Sequence, residues 1–94
     1  MLSSKIKYFQ GEITKKKYQN GQLAIFVNGS DGEPIAELSI NDYSIDLASN
    51  EIVLKNYSEN SQIAKDLLES EVLIPTDRFL LIGTHLCPIC EVAF

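Results

Sequence analysis

Asn50–Pro75 reads NEIVLKNYSENSQIAKDLLESEVLIP and holds the clearest pattern in the chain. Glu51–Lys55 alternates, with Ile52 and Leu54 on one side and Val53 on the other, as a short strand does. Asn56 with Glu59 three residues later has capping-box form, and Ser58 as N-cap is the competing register. In either register Glu59 suits the positive end of a helix. Ile63, Ala64, Leu67, Leu68 and Val72 then recur at helical spacing, while Lys65, Asp66 and Glu69 fall on the solvated side. Pro75 disfavours helix at Ile74. The spacing predicts a strand, a capped turn and a helix over Ser58–Leu73.

Upstream of this segment the pattern is β. Ile6, Tyr8 and Gln10 alternate with lysines and Phe9, which allows a short strand within Met1–Gln10. Residues 13–18, 22–28 and 34–40 read as an antiparallel meander. Lysines crowd the first of these, ITKKKY, as on an edge strand protected against aggregation. Asn20-Gly21 predicts a type I′ hairpin. Leu23–Val27 is apolar on both faces and reads as central. Asn28–Glu33 predicts a type I turn or a bulge, and Pro34 opens a strand with Ala36, Leu38 and Ile40 on its buried face. Asn41–Asn50 fits a short strand or an extended loop.

Downstream, Phe79–Ile82 reads as a strand buried on both faces, and Gly83-Thr84 as a turn or bulge. Leu86–Phe94 is a last strand that Pro88 pushes to an edge or to irregular geometry. The expected fold is α+β: one antiparallel sheet of five to six strands with one main helix packed on one face, in a single domain spanning residues 1–94.

Composition narrows the function. The 94 residues are 45% hydrophobic and 22% charged, a globular balance. The N-terminus, MLSSKIKYFQGEI, has lysines without an apolar run after them, so no secretory leader is expected. No apolar run approaches membrane-spanning length. A cytoplasmic protein with no membrane association is the expectation. Residues 1–17 carry five lysines against Glu12, a net +4; residues 18–94 carry Lys55, Lys65 and Arg78 against twelve acids, a net −9. An acidic body binds phosphate arrays poorly and suits a basic protein partner. Asp31, Glu33, Glu37, Asp42, Asp46 and Glu51, from neighbouring strands and turns, are the candidate partner-binding residues. They predict one acidic face that docks in a basic groove.

Two other surfaces carry chemistry. His85, Cys87 and Cys90 gather three soft ligands in six residues, the beginnings of a zinc site that a carboxylate or a second copy would complete. The same Cys87-Pro88-Ile89-Cys90 has the form of a redox dithiol, but no helix follows to lower a thiol pKa. The simplest alternative makes both cysteines small packed residues. Lys15, Lys16 and Lys17, near Tyr8, Phe9 and Tyr18, are a possible weak nucleic-acid surface. An exposed edge strand also offers a route to a homodimer. No enzyme is indicated. The serines suit turns and caps, His85 has no partner at a catalytic spacing, and Gly29, Gly32 and Gly83 build no phosphate loop.

Tyr18–Ala24 (YQNGQLA), Asp31–Pro34 (DGEP) and Leu47–Asn60 (LASNEIVLKNYSEN) together resemble a small, functionally uncharacterised family of bacterial domains carried on conjugative elements and phages. The resemblance runs over most of residues 18–92 and is most specific in Lys55–Asn60, KNYSEN. It brings no catalytic motif and does not include His85, Cys87 or Cys90. It implies a mobile-element setting, in which small acidic proteins act as anti-restriction or anti-CRISPR inhibitors by binding a host complex. The expected function is therefore a non-enzymatic inhibitor or adaptor. The alternatives are a zinc-stabilised module and a weak nucleic-acid binder.

Overall fold

A computed structural model describes residues 5–8, as backbone, and residues 11–94. The meander is present. Strands β1 (Lys5–Tyr8), β2 (Gly11–Lys17), β3 (Leu23–Asn28) and β4 (Pro34–Glu37) form one antiparallel sheet in the order β1-β2-β3-β4. β2 is therefore flanked by β1 and β3 and is not an edge strand. The Asn20-Gly21 hairpin is built differently from the type I′ turn expected. The Gly21 amide donates to the Tyr18 carbonyl at 3.0 Å, and the Tyr18 amide to the Gln22 carbonyl at 2.9 Å. Gly21 alone has positive φ, +88°. This is the three-residue loop with a glycine bulge. Gly29–Glu33 repeats the device with Gly32 at φ +84°.

The single sheet expected from the sequence is in fact two. The chain changes sheets at Leu38, inside the segment 34–40. The Leu38 amide donates to the Ile25 carbonyl at 2.8 Å, and the Leu38 carbonyl accepts from the Lys55 amide at 2.7 Å. Beyond it, β5 (Ser39–Ile40) pairs with β6 (Glu51–Leu54), which opens a second four-stranded antiparallel sheet. With β7 (Leu73–Ile82) and β8 (His85–Val92), its order is β5-β6-β8-β7. Tyr18 fastens the crossover. Its hydroxyl donates to a Glu37 carboxylate oxygen and lies 2.8 Å from Ser39 Oγ. Burial, then the Glu37 bond, raises the pKa of that phenol.

Both sheets and the helix share one core. Ile13, Ile25 and Val27 come from the first sheet; Ile52, Leu54, Leu73 and Cys90 come from the second; Ala64 and Leu67 come from the helix. A smaller cluster lies on the opposite face of the second sheet. There Ile45 and Leu47 of the 41–50 loop cover Val53, Cys87 and Ile89. Gln22 holds that loop, donating from Nε2 to the Asp42 carbonyl at 2.7 Å.

The helix is shorter than predicted. A 3-10 turn, Ser58–Asn60, runs into α1 (Ser61–Glu69), and Leu73–Pro75 is strand. Neither Asn56 nor Ser58 caps it through a side chain; Ser58 instead turns the chain with φ +57°. The buried Asn60 amide group ties the helix start to the Glu37 carbonyl at 2.7 Å. At the other end, Val72 N–H donates to Leu67 and Glu71 N–H to Leu68, with Glu71 at φ +62°. These are the two bonds of a Schellman motif, whose left-handed position usually holds glycine. Val72 extends the apolar stripe because it packs against the main core, not because it is helical. Glu71→Gly relieves the left-handed carboxylate side chain and should stabilise the domain by about 1 kcal/mol, read as a higher urea midpoint.

Two more expectations change in the second sheet. Phe79–Ile82 is half wet: Phe79 is 54% and Leu81 64% exposed, while Leu80 and Ile82 pack inward. β8 is central despite Pro88. Its ladder with β6 ends at Val53–Ile89, one residue short of the proline, so the missing donor interrupts nothing there. Gly83-Thr84 is a two-residue hairpin loop with Gly83 at φ +60°. No helix among the described residues is long and apolar enough to cross a membrane.

Candidate functional site

The α1 N-terminal half lies beside the Gly29–Glu33 turn, and a cleft of about 610 Å³ opens between them. Val27, Ile35 and Ile63 line it with hydrocarbon, and Asp31, Glu33 and Asp66 supply carboxylates. Each part has a local cause. The glycine-bulge turn projects Asp31 and Glu33, and the Asp31 carboxylate accepts the Glu33 amide at 3.0 Å, which fixes the loop. Ile63 and Asp66 are three apart on α1 and so project from adjacent turns of one flank. Gln62 donates to Asp66 at 2.9 Å across one helical turn. Ile35, on β4, is 63% exposed at the mouth. The arrangement offers an apolar trough with negative charge along it, suited to a cation on an aliphatic stem.

The six acids expected to form one face divide by position. Asp31 and Glu33 meet in the cleft. Glu37 is engaged by Tyr18. Asp42 caps its own turn, accepting the Ser44 amide at 2.8 Å, and the Ser44 bonds hold its carboxyl below the usual range. Asp46 offers its backbone carbonyl to Arg78 at 2.8 Å. Glu51 is committed internally: one carboxylate oxygen accepts the Ala48 amide at 2.9 Å and pairs with Arg78 at 3.2 Å. The last three acids therefore shape the 41–50 loop.

Asp66 joins the site although its sequence context reads only as a solvated helix face. The i, i+4 pair of Gln62 and Asp66 flanking Ile63 was the available signal. Its meaning depends on the turn that the helix meets, and that is a tertiary fact.

His85, Cys87 and Cys90 do not converge. Cys87 and Cys90 are three apart on a strand, so their side chains leave opposite faces. Cys87 belongs to the small cluster and Cys90 to the main core. His85 stacks on Tyr57, with ring centroids 3.8 Å apart and planes 4° apart. Burial pushes the Cys90 thiol up to about 12 and raises Cys87 as well, so neither is poised as a thiolate. Among the described residues, no three His, Cys, Asp or Glu side chains come together as a metal site. The chemistry of these donors fits packing better than zinc.

The lysines are also dispersed in purpose. Lys15 donates to the Phe94 carbonyl oxygen, and Lys16 lies over the Phe26 ring at 5.8 Å. A second cleft, of about 460 Å³, takes in Lys15–Lys17, Ser49 and Asn50. Phe9 and the side chain of Tyr8, which the nucleic-acid reading requires, lie outside the described residues.

Comparison with models of known protein families, with curated proteins and with solved structures gave no match to this chain.

Proposed function

We propose that this chain is a non-enzymatic binding module that inhibits or adapts a host protein complex in the cytoplasm by gripping a basic side chain in the turn–helix cleft. One observation carries the reading: three carboxylates stand over an apolar trough of about 610 Å³. That volume lies within the range of small-ligand pockets and accommodates one or two long side chains. Val27, Ile35 and Ile63 match the methylenes of arginine or lysine; Asp31, Glu33 and Asp66 match the head group. Arginine is favoured, because its fork engages two carboxylates at once. The net charge of −5 steers a basic partner toward the molecule. The resemblance to domains of conjugative elements and phages supports a defence complex of the host as that partner.

The test is a paired variant, Glu33→Lys with Asp31→Asn. The asparagine keeps the acceptor for the Glu33 amide, so the turn retains its geometry. Affinity for the partner recovered from a host lysate should fall at least about 100-fold, because an interfacial charge loses its counterion. The circular dichroism spectrum should not change. A Glu37→Gln control, outside the cleft, should bind within about twofold of the parent. Equal loss in both variants, or loss in neither, removes the cleft from the mechanism.

A further inference from the structure

Among the described residues the two sheets have four edge strands, and three of them are guarded. β1 carries Lys5 and Lys7 in its sequence, β4 follows Glu33, opens with Pro34 and ends on Glu37, and β5 is two residues long. Charge, proline and shortness are the usual means of preventing edge pairing. β7 lacks them where it matters. It is ten residues long, and its last four, Phe79–Ile82, contain neither charge nor proline.

The side chains there are also uncovered. Phe79, Leu81 and Leu86 are 54%, 64% and 58% exposed. The register places Phe79 opposite Pro88 and Leu81 opposite Leu86. All four therefore share the face that is buried farther along β8 at Cys90 and Val92. Phe79, Leu81 and Leu86 therefore make a wet apolar face, bordered by the buried Pro88, beside an open backbone edge.

We propose that β7 of a second copy of this chain pairs antiparallel with this edge, with the two-fold axis passing at Leu80. In a two-fold antiparallel pair, residues equally spaced about the axis face each other. Phe79 then lies across from the partner's Leu81, and Leu81 across from the partner's Phe79. Pro88, Phe79, the partner's Leu81 and the partner's Leu86 form one continuous apolar row, and symmetry repeats it. The edge is thus complementary to itself, whereas a foreign strand would have to supply both residues at the right spacing. No charge lies in either row. The exposed side chains and the added backbone contribute on the order of 500 Å² per copy, short of the roughly 800 Å² of a standard interface. The dimer is accordingly weak and reversible.

The two copies each carry −5, so their general repulsion opposes pairing and salt relieves it. This is opposite to a charge-driven cleft contact, which salt weakens, and the two readings fail separately. Sedimentation velocity from micromolar to millimolar protein should show a monomer–dimer equilibrium that strengthens with salt. Leu81→Lys should raise its dissociation constant at least about tenfold without altering the circular dichroism spectrum. Tyr43→Lys, at a side chain still more exposed on the 41–50 loop and outside the cleft, should leave it unchanged. Phe79→Cys and Leu81→Cys test the register, since directly opposed β-carbons lie about 5 Å apart, close enough for a bridge after small adjustment. An intermolecular disulfide should form when the two variants are mixed and in neither alone. A strict monomer at every concentration overturns the proposal and leaves the edge to a foreign strand. A dimer indifferent to Leu81→Lys, or bridges in the single variants, overturns it equally.

Discussion

Leu38→Ala should cost about 3–5 kcal/mol, a large share of the stability of a domain this size. Leu38 is fully buried, and its neighbours in the core come from both sheets. Its amide serves the first sheet through Ile25, and its carbonyl serves the second through Lys55. Alanine keeps both backbone bonds and removes the side chain that fills the space between the sheets. The cavity cannot collapse easily, because the backbone on either side is pinned by pairing. Urea unfolding should show the midpoint fall with little change in slope, since the surface exposed on unfolding is nearly the same. Ile35→Ala, three residues earlier and 63% exposed, should change stability by no more than about 0.5 kcal/mol. If the two substitutions cost the same, Leu38 is not the joint between the sheets.

That joint shows what the sequence can and cannot convey. The alternation through Ala36, Leu38 and Ile40 correctly marks a strand and its buried side. It carries no sign that the hydrogen-bonding partner changes at Leu38, because period-two patterning reports burial and not which strand lies alongside. The same limit explains Phe79–Ile82. Four apolar residues in a row read as doubly buried, yet the strand stands at an edge and half its side chains meet water. Ile52 and Leu54 opposite Val53 were legible, since both faces of β6 are covered. At the helix, the apolar stripe through Val72 overran the true end. The terminator is Glu71 in a left-handed conformation, where a glycine would have announced it. In the cleft, Asp31 and Glu33 were legible as a turn rich in acid; Asp66 was not, because only the tertiary fold brings α1 beside that turn. The spacing of Cys87 and Cys90 suggested ligands, although Leu86–Phe94 itself reads as a strand. On a strand the same spacing separates them.

Gly11→Ala should destabilise the domain by about 2–4 kcal/mol, although it adds one methyl group to a position at the end of a strand. A β-carbon on Gly11 would lie 2.0 Å from the Asn28 carbonyl oxygen, 3.1 Å from its carbon and 3.4 Å from Gly29 Cα. All three are backbone atoms, so no rotamer change relieves the overlap. β2 must draw away from β3 beside the Glu12–Asn28 pair, next to the irregularity at Val27–Asn28. Gly29 opens the turn that presents Asp31 and Glu33, and Gly11 itself lines the cleft. Displacement there should therefore weaken partner binding as well as folding. Gly21→Ala separates contact from conformation. Gly21 has φ +88° and nothing within 4 Å of an added β-carbon, so its cost is the left-handed backbone alone, about 1 kcal/mol. Urea midpoints should rank parent, Gly21→Ala, Gly11→Ala in falling order. Only the last should reduce affinity at the cleft, because Gly21 lies in the hairpin loop at the other end of β2 and β3. A Gly11→Ala protein as stable as Gly21→Ala would mean that the β2 terminus yields freely and that the close approach to Asn28 is not what sets the turn.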